Sequence, residues 1–137
     1  LPNLTEACLL TDTPYREDPD EVFVQALLQK LSHLAPRVVL TGVSFDDDHL
    51  GAMSYDRTTG RYFAYYNEKV HAQGIFTATV LGAMMQGRTL EQAVTLAVDF
   101  TLECIRCTCA DPAASWYGVE FEKALPWLAR QNNAGAE

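Results

Sequence analysis

The chain has little of what would mark it as a membrane, nucleic-acid or zinc protein. No apolar run approaches the ~20 residues that a bilayer-spanning helix requires. Basic residues are scarce: 10 Lys and Arg stand against 18 Asp and Glu, a net charge of −8, and the pI is near 4.7. A nucleic-acid surface needs a basic stripe, so that class is excluded. Acidity does not exclude an anionic substrate, because a helix N-terminus binds phosphate through backbone N–H groups. No secretory signal is visible, and the chain opens on Leu1 rather than Met, which leaves room for a lost upstream segment. No internal repeat, low-complexity segment or linker interrupts it.

Cysteine is also sparse, with 4 residues in 137. Cys8 stands alone, whereas Cys104, Cys107 and Cys109 crowd into "ECIRCTCADP". A structural zinc site needs a second paired set of ligands, and none follows. Reduced thiols near a helix end in a cytoplasmic protein are the expectation. With 48% hydrophobic and 20% charged residues, the composition is that of a globular chain. Its length suits one domain with a core, spanning 1–137, and disorder is expected only in the tail "RQNNAGAE".

The pattern along the chain is that of an α/β protein. After "NLTEACLLT" and the turn "DTPYRED", Asp18 reads as an N-cap with Pro19 in the first helical position. Phe23, Val24, Leu27, Leu28, Leu31 and Leu34 then recur at helical spacing, up to a stop at Pro36. "RVVLTGVSF" is a short apolar run consistent with a strand buried on both faces. A helix returning to such a strand suggests a mainly parallel sheet flanked by helices. "HLGAMSYD" and "RYFAYYNE" around "RTTG" predict one antiparallel hairpin. A helix is expected from about Ile75 to Gln86, terminated by Gly87. A second follows a Thr89–Gln92 capping box, with Val94, Ala97, Val98, Thr101 and Ile105 as its apolar stripe. A last short helix, "FEKALPWLA", is expected to pack Phe121, Leu125 and Leu128.

Few positions carry chemistry. Asn3 and Glu6 in "NLTE" lie three apart, so a helix start places both on one side. A carboxylate with a nearby amide suits a water-bridged Mg²⁺, and a plain cap explains the same spacing. In "TGVS", Thr41, Gly42 and Ser44 lie at a strand end, where ligands of open α/β sheets bind; a simple turn is the competing explanation. "DDDH" at Asp46–His49 reads as a solvated turn. His33 and His71 read as surface residues. Met84, Met85, Trp116 and Trp127 read as packing.

In order, "LPNLTEACLLT", "VVLTGVSFDDDHLGAMSYD", "YFAYYNE", "GRTLEQAVTLAVDFT" and "WYGVEFEKALPWL" resemble the C-terminal half of the pyridoxal kinases, within the ribokinase-like superfamily. The resemblance covers nearly the whole chain. It implies ATP-dependent phosphorylation of the 5′-hydroxymethyl group of B6 vitamers, with ATP and Mg²⁺ as cofactors. Asn3 and Glu6 match the family's N-x-x-E motif, which organises Mg²⁺ and phosphate, with Glu6 on the metal side. Thr41 and Gly42 match the dipeptide lying against the nucleotide phosphates. The helices expected at 75–86 and 89–109 match those flanking the adenine side. The resemblance implies a homodimer or a missing N-terminal half as partner.

Two departures are visible. The family's N-terminal half has no counterpart. Its "GTGD" loop, whose Asp deprotonates the substrate hydroxyl, is also absent between Gly74 and Ile75, so no catalytic residue is identified, and Gly74 is the stand-in for an anion-hole glycine. A tighter alignment sets "AQG" against "GTG" and loses only the Asp. Alternatives are a hydroxymethylpyrimidine kinase-like enzyme, or a non-catalytic truncated domain that binds nucleotide weakly or serves as an interaction module.

Overall fold

In the computed structural model the described residues are 1–68, 74–114 and 119–134. They fall into two compact units, Leu1–Lys69 and Val70–Glu137.

The first unit is built on an antiparallel meander. Helix α1 (Leu4–Leu10) and helix α2 (Glu21–Leu31) precede strands β1 (Arg37–Val43), β2 (His49–Asp56) and β3 (Arg61–Glu68), ordered β1-β2-β3. Hairpin register runs from His49↔Glu68 to Asp56↔Arg61 without interruption. Its turn is closed by Asp56, whose Oδ1 accepts from the Thr58 N–H (2.8 Å) and hydroxyl (2.5 Å), and by Gly60 at φ +68°. Arg37 Nε donates to Asp56 Oδ2 at 3.1 Å and ties β1 to the same corner.

The α/β class holds, but the described sheet is antiparallel where mainly parallel strands were expected. Connections as short as those joining β1 to β2 and β2 to β3 permit only antiparallel neighbours, because a parallel pair needs a crossover of a dozen or more residues. The one described parallel pairing is the isolated bridge Asn3↔Thr41.

Burial follows the sequence periodicity closely. Val24, Leu27, Leu28 and Leu31 of α2 pack with Ala7 and Cys8 of α1 and with Val38, Leu40, Val43 and Met53. Val39, between Val38 and Leu40, is buried too, as expected for a strand covered on both faces. At Gly51 an added Cβ would overlap the Tyr65 carbonyl, so β2 and β3 approach there as only glycine allows.

Helix α2 begins later and ends earlier than its pattern suggests. Its N-cap is Asp20, not Asp18, because the Asp20 carboxylate accepts from Phe23 N–H at 2.8 Å. Its last turn closes at Leu31, so Leu34 falls beyond the buried stripe and is 67% exposed.

The second unit is helical: α3 (Gly74–Met85), α4 (Leu90–Cys109) and α5 (Phe121–Ala134). Gly87 (φ +87°) ends α3 as expected, with Arg88 N–H donating to Ala83 O at 3.1 Å. The whole expected α4 stripe is buried. Phe76, Thr79, Val80 and Ala83 form the buried face of α3, which leaves Met85 outside it and 80% exposed, against its expected core role.

Helix α5 packs through Ala124, Trp127 and Leu128 rather than Phe121 and Leu125. The latter two occupy the turns' outer side and are 43% and 45% exposed. Trp127 stacks on Phe100 at 6.2 Å. The helix continues through Ala134, so the described part of the tail expected to be disordered is ordered. Arg88 holds it by donating to Gln131 O (3.0 Å) and Asn132 Oδ1 (3.3 Å). His71 and Trp116 lie outside the described residues. No helix among the described residues is long and apolar enough to cross a membrane.

Candidate functional site

The site begins with a cap. Asn3 Oδ1 accepts from Glu6 N–H at 2.9 Å, and Glu6 Oε2 accepts from Asn3 N–H at 2.9 Å, a complete capping box on α1. The Glu6 side chain is exposed. The cap is held against the end of β1: Thr41 N–H donates to Pro2 O at 3.0 Å, and Asn3 bridges Thr41. A residue pair three apart in sequence and a dipeptide near position 41 thus share one corner of the first unit.

Gly42 makes that corner possible. Thr41 pairs with Ala52 and Val43 with Gly51, so Gly42 is the extra residue of a β-bulge. Its φ of +70° is left-handed, and no heavy atom lies within 4 Å of where a Cβ would stand. Backbone of this kind, bulged and facing open space, can be approached closely by a ligand. Ser44 follows after Val43, its Oγ 2.6 Å from Asp46 O and 2.7 Å from His49 O.

Asp46–His49 is the solvated turn that the sequence suggests. Asp46 Oδ1 accepts from Asp48 N–H (2.9 Å) and His49 N–H (2.7 Å), and these backbone bonds hold its carboxyl below the ordinary range. The loop and the lead-in to α2 border an open groove of about 590 Å³ lined by Glu17, Asp18, Asp20, Glu21, Asp46 and Asp47 among others. So many carboxylates repel a bare anion; a phosphate group bound nearby needs a cation for company.

Among the described residues no group of three or more His, Cys, Asp or Glu could hold a metal ion. A single exposed carboxylate, anchored by its own cap, nevertheless fits Mg²⁺, which keeps several waters and takes few protein ligands. Glu6 meets that description. All four cysteines are free; burial pushes the Cys104 thiol up to about 11, so it stays protonated and inert at neutral pH.

Gly74 belongs to the second unit, where it opens α3. The first turn of α3 contains no acidic residue, in keeping with the absence of the GTGD Asp from the sequence. The structure therefore brings together Asn3, Glu6, Thr41 and Gly42. Sequence reasoning gave Ser44 little weight; its place two residues after the strand-end glycine was the available signal.

No protein-family model and no curated protein matches the chain; solved structures do. A candidate phosphomethylpyrimidine kinase from Bacteroides thetaiotaomicron is 30% identical with a TM-score of 0.85, over 93% of this chain and 46% of its own. A second crystal form of it, with pyridoxal, gives 0.84. The pyridoxal kinase of Lactobacillus plantarum matches at 22% identity and 0.76, over 97% of this chain and 49% of its own. That of Leishmania donovani, in complex with ADP and pyridoxamine, matches at 19% and 0.67, over 88% and 44%. The chain spans about half the length of these kinases and has the fold of their C-terminal part.

Proposed function

We propose that the chain is the C-terminal part of one kinase domain that transfers the γ-phosphoryl group of ATP to the 5′-hydroxymethyl group of pyridoxal, pyridoxine or pyridoxamine. The observation that carries this reading is the joining of the Asn3–Glu6 capping box to the Thr41–Gly42 bulge, in a fold shared with a protein crystallised with pyridoxal. Phosphoryl transfer depends chiefly on positioning and charge stabilisation. In this reading Glu6, with Asn3 steadying it, would hold a Mg²⁺ that offsets the phosphate charge. Thr41 and Gly42 present strand-end backbone to the phosphates.

The substrate pocket comes from a missing N-terminal half or from a second copy in a homodimer. Free thiols suit a cytoplasmic enzyme. The test is a parallel assay of the three vitamers and hydroxymethylpyrimidine with Mg²⁺ and ATP. Phosphorylation of a vitamer supports the reading. Turnover of hydroxymethylpyrimidine alone selects the alternative that the name of the Bacteroides protein favours.

A second reading has its own observation. With no acid in the first turn of α3, the hydroxyl lacks its base, and the chain acts as a non-catalytic nucleotide-binding or interaction module. Binding of Mg·ATP with no turnover of any substrate would select it.

A further inference from the structure

We infer that Ser44 is a positioning residue for the strand-end phosphate contact, an inference resting on the reading of Thr41 and Gly42 above. Gly42 has no partner in the β1–β2 register, so the orientation of its peptide groups is fixed by its neighbours. On the upstream side Thr41 is held twice, by Ala52 in the ladder and by Pro2 O at 3.0 Å. On the downstream side Val43 pairs with Gly51, and beyond it the chain leaves the sheet.

The Ser44 hydroxyl supplies a further anchor just beyond Val43. It has one proton and lies within hydrogen-bonding distance of two carbonyls, Asp46 O at 2.6 Å and His49 O at 2.7 Å, so it donates to one or is shared. His49 is the first residue of β2. The hydroxyl therefore joins the end of β1 to the start of β2 across the base of the loop. Residues 45–49 are exposed, and beyond the edge-on contact of Phe45 with Tyr66 the loop depends on polar bonds: this one and those of Asp46.

Removing the Ser44 hydroxyl leaves the hydrophobic core intact, since Ser44 is no part of it. It loosens the downstream side of Gly42, which then keeps only the pairing and burial of Val43. The binding-competent backbone is then populated for only part of the time, and the apparent affinity falls by that fraction. Ser32 provides a matched control: its Oγ donates to Gln29 O at 2.6 Å at the end of α2, in a buried setting.

The experiment titrates Mg·ATP into the wild-type chain and into Ser44→Ala, Ser44→Thr and Ser32→Ala, with urea melts alongside. The loss of one net hydrogen bond corresponds to about fivefold weaker binding for Ser44→Ala. Ser44→Thr is expected to restore wild-type binding, and Ser32→Ala to cost stability alone. In an active holoenzyme, Ser44→Ala raises the KM for ATP and leaves kcat in place. Should Ser44→Ala fail to fold, Ser44→Cys, a weaker donor, is expected to show a smaller loss in the same direction. Wild-type affinity in the Ser44 variants, or an equal loss in Ser32→Ala, overturns the positioning role and leaves the kinase reading standing. A wild-type chain that binds no Mg·ATP overturns both.

Discussion

Helices α1 and α4 start with the same device. Asn3 and Glu6 exchange bonds of 2.9 and 2.9 Å; Thr89 and Gln92 exchange bonds of 3.0 and 3.2 Å. As caps they are equivalent, so capping geometry by itself says nothing about function. Three differences separate them. The third residue is a carboxylate in one and a neutral amide in the other. Asn3 is bridged to the end of a strand, whereas Thr89 follows the Gly87 turn. And α1 has 7 residues, only two of them buried, while α4 has 20, ten of them buried. A short helix with little core of its own, its capping box carrying an acid beside a bulge, is the one to which the proposed function assigns chemistry. The long one is placed for packing.

That contrast can be tested, starting with the largest effects. If cores rather than caps carry both units, truncation inside them outweighs any change at a cap. Phe100→Ala, which empties the space against Trp127, is expected to cost about 3–5 kcal/mol, and Leu28→Ala about 2–5 kcal/mol. Denaturant melts give both numbers; losses no larger than those of cap mutants would show that the caps matter more than burial.

The sharpest test of the difference is Glu6→Gln. Glutamine caps as Gln92 does, so stability should change by less than about 0.5 kcal/mol. Mg·ATP affinity should fall about tenfold, since removing a charged partner of the metal costs on the order of 1.4 kcal/mol or more. Unchanged affinity by titration calorimetry would make α1's cap as purely structural as α4's.

Removing the cap side chains comes next. Asn3→Ala and Thr89→Ala are each expected to lose about 1 kcal/mol. Only Asn3→Ala should also weaken the nucleotide, and equal binding in the two variants would erase the distinction.

The smallest expected effect concerns pH at the far corner of the sheet. Hydrogen bonds from Thr58, then Arg37, hold the Asp56 carboxyl below its ordinary 3.8. A depressed carboxyl contributes stability that is present above the ordinary value and disappears as pH falls through the lowered one. Acid titration of wild type should show this slope below about pH 4, and Asp56→Asn should flatten it.

Much of the first unit was legible because its signals are local. Alternating aromatics around "RTTG" fix a hairpin, and its ends fall where expected, at His49 and Glu68. The capping boxes were legible for the same reason. Errors arose where a local pattern continued past the point at which tertiary contacts stopped using it. Leu34 keeps the spacing of α2 but follows the helix end. Met85 has the apolarity of α3 but sits on its outer side. Phe121 and Leu125 have helical spacing, yet Ala124 and Trp127 are what face Phe100. Parallel pairing was expected because a buried strand has no local mark of direction; the connections decided it.

By itself the sequence determined the elements, the caps, the terminating Gly87, the unpaired thiols and the residues worth suspecting, since each depends on neighbours within a few positions. Only the tertiary structure decided that Pro2 and Asn3 lie against Thr41, that Gly42 is a bulge at φ +70°, and that the Ser44 hydroxyl spans the loop base. Those facts join residues through space, and the physical reason is the ladder: once β1 and β2 pair on either side of Gly42, the extra residue must bulge, and only a glycine takes the left-handed turn without strain.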